Sequence, residues 1–575
     1  MEIRSSHFKT NMANNIALAI LFLIFASLCM FNLFTFCWSD EASYFSYPHR
    51  LFMGEKLFVD EWMPEQFYSP LLFPFYSLYM KIFGNNDGIF LTARLATVLI
   101  HSTVSFALYF SLKKKWNVFT SFSASTIFMI FCKSNILGAS YYSFALDFFM
   151  IGILLLMNSK SKKPFFLAGI SFAIAIISNP YIAVIYIGYS IFYLISGIGL
   201  EKTKKEFFSK LALFWTGTIF SAILYIGFLL SKESISEIFK NVHYIFLDPS
   251  HGNTNLIYKT LQCFKYILTS YPFTFPIMFA SAVFLLVRKF QRKEISRKIK
   301  LFLFIMNFIV FFINIPLCQK HSACLLPPFF LAVICKLILN EKLFSGDEIK
   351  FFILPGFFLA VIFHWASDTN ISAMAIGFAL AIPGALYVIF DFTDNFFENK
   401  KIAYTVKILV ATTLILTLGA ERLQKPYRDS YIWHCTEKIE QGPAKGLYTS
   451  SERKIMYDEI CATVNSLDIK SPDDKIFISP MMPWAYIMLN TKYGASQTWR
   501  IALSDYRLKI YYETENHSFP KYVIMLDEKY ALSQQSQIAS REYKGWFYDE
   551  ILMKLYDSND IAIGTLFTKK EFDGE

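Results

Sequence analysis

Charge is scarce in this chain. Asp, Glu, Lys and Arg make up 17% of its 575 residues, against about 25% in soluble domains. No GxxxxGK[ST] loop, GxGxxG turn, HExxH helix or GxSxG elbow occurs, which removes the common nucleotide-binding, zinc-protease and serine-hydrolase signatures. There is no CxxC pair and no Cys/His spacing of the metal-binding kind among the nine cysteines. Cys29, Cys132 and Cys335 lie in apolar runs, as small buried thiols do. Cys435 and Cys461 fall in a polar region, and the sequence leaves their pairing open. The net charge of +10 does not point to nucleic acid, because the basic residues form short clusters between apolar runs.

What is abundant is apolar and aromatic: 54% hydrophobic residues, 63 Phe and 33 Tyr. A bilayer crossing needs about 20 such residues. Thirteen apolar runs are expected to be helical spans, near 15–38, 89–112, 117–135, 139–157, 164–180, 181–199, 210–231, 264–287, 301–318, 323–340, 351–367, 371–391 and 402–420. The first is too long for the core of a secretory signal and is read as a retained helix. Lys113 to Lys115, Lys160 to Lys163, Lys202 to Lys205 and Arg288 to Lys300 each follow an even-numbered run. By the positive-inside rule the N-terminus is then cytoplasmic and residues 421–575 are extracytoplasmic.

Two connections are too long for turns. In the first, 39–88, residues Ser69 to Phe83 read as an amphipathic helix on the membrane surface, with Gly84 as its stop. The second, 232–263, carries Asp248 and His251. The fold class expected is therefore an α-helical polytopic membrane protein, with a membrane domain over 1–420 and a small α/β domain over 421–575. In that domain Thr449-Ser-Ser-Glu452 has the capping-box pattern for a helix of about 15 residues. Lys475 to Ser479 and Tyr522 to Leu526 read as buried strands. Gly442 to Thr449 reads as a structural turn.

The sharpest chemical feature is Ser39-Asp40-Glu41 at the outer end of the first run. Two adjacent carboxylates at a membrane boundary are costly unless solvated, paired or functional, and one could take a proton from an acceptor hydroxyl or amine. Asp147 lies within the fourth run, where a bland role is costly for the same reason. Gln319-Lys320-His321 precedes Pro327-Pro328 between runs nine and ten. Cations there would suit a phosphate leaving group. Lys133 is read as snorkelling or reaching a cavity, and His101 and His364 as packed residues.

The order of Asp40-Glu41, Gly54, an acidic stretch including Asp60, Gln66 to Pro70, Phe83-Gly84 and Arg94-Leu95 resembles the first outer loop of the GT-C glycosyltransferases. The lipid A aminoarabinose transferases and protein O-mannosyltransferases are the nearest in pattern. The resemblance covers about 1–160 and, more weakly, 310–340. It implies an inverting transfer of a sugar from a polyprenyl-phosphate carrier to a glycan, lipid or protein on the outer face of the membrane; the Ile, Lys, Phe and Asn bias of the composition separately suggests a bacterial plasma membrane. Asp40 would be the catalytic base, and Glu41 would contact the acceptor or a divalent metal. Asp60, Arg94, Asp147, Lys320 and His321 would bind substrate. No other cofactor is implied, and metal dependence stays open. The basic residue that the aminoarabinose transferases carry before the Pro of the surface helix is missing here, so donor and acceptor identity stay open too. A flippase for lipid-linked saccharide and an O-antigen-ligase-like enzyme are the alternatives. The first predicts ionisable residues at the bilayer midplane and internal repeats, and the second a large outer loop late in the chain.

Overall fold

The computed structural model describes residues 2–159, 161–197, 204–247, 255–314, 322–341, 343, 345–366, 371–424, 427–515 and 517–570. Each of the thirteen apolar runs contains helix. In chain order the helices of the first 424 residues are α1 (Glu2–Phe31), α2 (Asp40–Phe52), α3 (Ser69–Phe83), α4 (Ile89–Lys113), α5 (Val118–Ile130), α6 (Tyr141–Met157), α7 (Lys163–Ser178), α8 (Ile182–Gly197), α9 (Lys204–Leu230), α10 (Ile235–Asn241), α11 (Leu256–Ser270), α12 (Thr274–Phe290), α13 (Arg297–Asn314), α14 (Leu326–Ile338), α15 (Leu354–Ala366), α16 (Ile371–Phe396) and α17 (Lys400–Gln424).

Among the described residues six helices are long and apolar enough to cross a membrane, or seven if the bent pair α11–α12 counts as one span. That pair is a correction to the run expected at 264–287. The chain bends by 109° between its two helices, where Pro272 has no N–H to continue α11. The third run is also shorter than expected, because α5 stops at Ile130 and residues 131–140 form a loop. Long helices such as α9 expose apolar side chains, among them Ile223 at 62% and Leu224 at 59%. A bilayer tolerates such faces, and water does not. Helix α16 is the opposite: it runs through the middle of the bundle, buried nearly all round.

Local signals placed α3 well. It spans Ser69–Phe83, with Pro70 in its first turn, and Gly84 closes it at φ 70 while donating to Met80 O. A residue with a side chain would be strained there. Helix α2 was not anticipated, because its polar sequence has no clear apolar period.

After α17 come β1 (Glu437–Lys438), β2 (Tyr448–Thr449), α18 (Ser451–Asn465), β3 (Ile476–Ser479), α19 (Pro483–Ile487), α20 (Tyr506–Glu515), β4 (Tyr522–Leu526), β5 (Tyr556–Ile561) and β6 (Gly564–Lys569). The four-stranded sheet has order β3-β4-β6-β5, with β3 and β4 parallel and the other pairs antiparallel. Helix α18 has the expected 15 residues, but its N-cap Ser450 makes no side-chain cap bond, so the capping box does not form. Cys435 and Cys461 are both buried and unpaired.

This sheet does not own its core. Alternate residues of a strand face opposite ways. Ile476, Ile478 and Ile524 join a cluster with Phe36, Trp38, Phe45 and Phe90 from the first loop and α4. Phe477 and Val523 join another with Trp62. Backbone bonds stitch the same seam: Tyr448 N to Leu33 O, Gly88 N to Gly442 O and Trp62 N to Ser496 O. Gly442 N also donates to Asp87, so the glycine-rich turn docks the C-terminal region onto the start of α4.

Candidate active site

The chain leaves α1 at Phe31 and makes a tight, buried turn before α2 begins at Asp40. Three long-range ties fix that turn. Arg94 of α4 donates through Nη1 to the carbonyls of Asn32 (3.1 Å) and Thr35 (2.8 Å). Asp429 accepts from Phe36 N at 3.0 Å and from the Thr449 hydroxyl at 2.8 Å. Tyr448 supplies the third tie, to Leu33.

Asp40 and Glu41 occupy the first turn of α2, where the helix dipole favours negative charge. Successive residues on a helix point about 100° apart, and the two carboxylates diverge. Glu41 turns inward to Arg94 in a two-pronged pair, Nε to Oε1 at 2.8 Å and Nη2 to Oε2 at 2.6 Å, with both side chains fully buried. The loop after α5 closes over it. A Cβ on Gly138 would lie 2.3 Å from Glu41 Oε1, so only glycine lets the backbone pass. Sequence reasoning gave Glu41 to acceptor or metal and Arg94 to the donor phosphate. Here they neutralise each other, and Arg94 spends its remaining contacts on backbone carbonyls.

Asp40 is only half-buried. It accepts from the hydroxyls of Ser39, at 3.2 Å, and Tyr427. Its charged neighbours are Arg428 and Lys133. Burial raises its pKa above the ordinary carboxylate value, while these two cations and two hydroxyls pull the other way. Arg428 lies in the turn after α17, over the rings of Tyr427 and Trp499 at 5.0 and 5.1 Å. Lys133 lies in the loop after α5, its Nζ 3.5 Å above the Tyr142 ring. Tyr142 divides two openings. One, of about 560 Å³, is lined by His101, Lys133 and Arg422 among apolar walls. The other, of about 900 Å³, is lined by Glu65, Tyr141, Tyr181 and Phe246.

The remaining expected residues scatter. Asp60 accepts from Lys56 N at 2.6 Å and lies 3.6 Å from His517. It sits beyond the C-terminal end of α2, about 15 Å along the helix from Asp40, and closes a turn beside the buried Arg50, Glu55 and Glu61 cluster. Asp147 is buried and bonded to His101 Nδ1 at 2.6 Å, while His101 Nε2 meets Phe128 O at 2.8 Å. His101, read as a packed residue, therefore lines the first opening. Lys320, His321, Asp248 and His251 lie outside the described residues; the next residue after His321, Ser322, donates to Glu421. Arg422, Tyr427 and Arg428 were missed. A cation run straight after the last apolar helix was the signal.

Among the described residues, no group of three or more His, Cys, Asp or Glu side chains could hold a metal ion. Asp40 has cations beside it, which repel a divalent ion. The described residues do not fit a metal.

No protein-family model matches the sequence, and no curated protein matches it. The structure does have solved neighbours. It resembles the crystal structure of the Archaeoglobus fulgidus oligosaccharyltransferase in its apo form, with a TM-score of 0.50 and 12% identity over 97% of this chain and 75% of that one. The archaeal oligosaccharyltransferase AglB from Archaeoglobus fulgidus, in complex with an inhibitory peptide and a dolichol-phosphate, gives a TM-score of 0.46 at 12% identity over 98% and 75%. The same oligosaccharyltransferase tethered to an acceptor peptide gives 0.44 at 11% identity over 97% and 74%. The chain shares the fold of that oligosaccharyltransferase.

Proposed function

We propose that this protein is a membrane glycosyltransferase that moves a sugar from a lipid-phosphate carrier to an acceptor on the outer face of the membrane, with Asp40 as general base. The carrying observation is the half-buried Asp40 carboxylate, free of the neighbouring ion pair and flanked by Lys133 and Arg428, at the first turn after α1. The GT-C fold, shared with an oligosaccharyltransferase, supports the reaction class.

The chemistry follows from those groups. Asp40 takes the proton of an acceptor hydroxyl or amine. The freed lone pair attacks the anomeric carbon, the bond from that carbon to the phosphate oxygen breaks, and the electron pair leaves on the lipid phosphate. Attack opposite the leaving group inverts the anomeric centre. Burial makes Asp40 a stronger base than a free carboxylate, and nearby cations favour its ionised form and the charge growing on phosphate. Arg94 and Glu41 hold the turn that aims Asp40; they are positioning residues. Lys320 and His321 remain proposed donor contacts. Asp60 and Asp147 are reassigned to scaffolding.

Thirteen crossings, a cytoplasmic N-terminus and extracytoplasmic residues 421–575 complete the reading. It is supported by the four basic clusters at the ends of even-numbered runs. A C-terminal reporter active only in the cytoplasm should stay silent, and its activity would reverse the placement. The central test is transfer by the purified protein from a polyprenyl-phosphate sugar to an outer-face glycan, lipid or peptide acceptor. Asp40→Asn should lower turnover about 10²-fold or more. Normal turnover by that variant would remove the base. Transfer only from a soluble nucleotide sugar would overturn the donor class.

A further inference from the structure

Among the described residues, most buried cations are matched. Arg50 pairs with Glu55 and Glu61, each at 2.9 Å. Arg94 pairs with Glu41, Lys336 with Glu348 at 2.8 Å, and Arg507 with Asp505 at 2.7 Å. This is the ordinary rule for charge removed from water. Around the opening beside Asp40 the rule fails. Lys133, Arg422 and Arg428 are each only partly exposed, and among the described residues none has a carboxylate within ion-pair distance. Lys133 and Arg428 rest on aromatic rings, and Arg422 donates to the Asn135 side chain at 3.0 Å. Arg453, over the Trp38 ring at 5.3 Å, adds a further cation within electrostatic reach of Arg428. Asp40 faces Arg428 and Lys133, and Asp429 and Glu452 face Arg453, but the residues lining the opening itself include Lys133 and Arg422 and no carboxylate. His101 does not change the balance, because Asp147 is bonded to it.

The cations are also held in place. Ser134 and Asn135 both have positive φ, 52° and 57°, which non-glycine residues seldom adopt and which costs energy. The Asn135 side chain secures that conformation by donating to the carbonyls of Glu421 and Arg422, each at 3.2 Å, while accepting from Arg422. The loop that carries Lys133 is thus locked to the end of α17 that carries Arg422. Both side chains line the same 560 Å³ opening, whose other walls include Val98, Phe131, Ile136, Leu146 and Ile376. A cationic edge on an apolar chamber fits an anionic head joined to a hydrocarbon chain.

We infer that Lys133 and Arg422 seat the phosphate of a polyprenyl carrier in this opening, with Arg428 at its Asp40 side, and that side-chain cations rather than a divalent ion supply the compensating charge. The inference deepens the transferase reading by naming where the carrier sits, and it rests on that reading only for the word carrier. Guanidinium and ammonium groups are the side chains suited to phosphate.

Binding tests it apart from turnover. The full chain is purified in detergent with EDTA present, and polyprenyl monophosphate, polyprenyl diphosphate, polyprenol and inorganic phosphate are titrated. Both lipid phosphates should bind far more tightly than polyprenol or inorganic phosphate, and whichever of the two binds better identifies the carrier. Lys133→Gln and Arg422→Gln should each weaken binding about 10- to 100-fold, the equivalent of one charge-assisted hydrogen bond. Arg422→Lys should recover part of the loss. Asp40→Asn should bind at least as tightly as the wild type, since it removes a negative charge that faces Lys133 and Arg428. Should Arg422→Gln fail to fold, Lys133→Gln carries the test, because its ammonium makes no structural ion pair. Equal binding of polyprenol, unchanged affinity in the Lys133 variant, competition by inorganic phosphate at equal concentration, or loss of binding in EDTA would each overturn the seat. Intact phosphate binding with no transfer from any lipid-linked sugar would leave the seat standing and end the transferase reading.

Discussion

Two carboxylates one residue apart, Asp40 and Glu41, meet opposite environments. On the inner side of the turn, Glu41 is sealed against Arg94 under Gly138. On the outer side, Asp40 keeps some contact with solvent and faces Arg428 and Lys133, which among the described residues have no carboxylate within ion-pair distance. The inner side is arranged so that nothing is left over, which is how a structure is held. The outer side keeps a base and unbridged cations available, which is how a structure acts. The contrast shows that adjacent acidic residues in a sequence need not share a role, because one step along a helix sends them to different faces.

The comparison can be broken at its inner side first, where the largest effect is expected. Arg94→Met leaves Glu41 buried and unpaired and should cost about 3–5 kcal/mol of stability, read from denaturant unfolding in detergent. A loss below about 1 kcal/mol would show that water reaches the pair. Arg94→Met with Glu41→Leu together should cost less than the sum of the single changes.

The outer side should answer in the other direction. Burial raises the Asp40 pKa above its unfolded value, so the folded state favours its protonated form. The ionised form is then a burden on the fold, relieved as pH falls. Asp40→Asn should therefore unfold no more easily than the wild type at neutral pH, even as transfer is lost. Marked destabilisation would put Asp40 in the scaffold with Glu41.

The pH profile sharpens the same point. Because the base must be ionised, kcat/KM should rise with pH through a pKa above the ordinary carboxylate value. Arg428 is the larger of the two cationic influences that lower that pKa, so Arg428→Gln should move the acid limb to higher pH. A limb that stays in place would separate Arg428 from Asp40.

The smallest effect belongs to Asp60, at the far end of α2. Asp60→Asn weakens a side-chain bond to the Lys56 backbone and should cost about 0.5–1.5 kcal/mol, with kcat and KM for both substrates unchanged. A shift in either constant would return Asp60 to the substrate-binding residues.

Much of the fold was written locally. Apolar runs dictate helices because every backbone group must be bonded within the segment when no water is at hand. Ser69–Phe83 with its Gly84 stop, and the buried strands Ile476–Ser479 and Tyr522–Leu526, were legible because helix capping and strand patterning depend on residues a few positions apart. The bend at Pro272 was available to a closer reading. The unformed cap at Ser450 was not, since a capping pattern does not force its side chain to rotate into place.

The sequence by itself determined that the chain is apolar enough for a membrane, where its helices run, and that Asp40 is a carboxylate set beside the first of them. Only the tertiary structure decided which acidic neighbour is neutralised and which cations gather around the other. Arg94 lies 53 residues from Glu41, and Asp429, which pins Phe36, lies 393 residues away. Such partners are chosen by the packing of α4, the loop after α5 and the end of α17 against one turn. No local pattern carries that information, because the energy of a buried charge depends on what surrounds it in space.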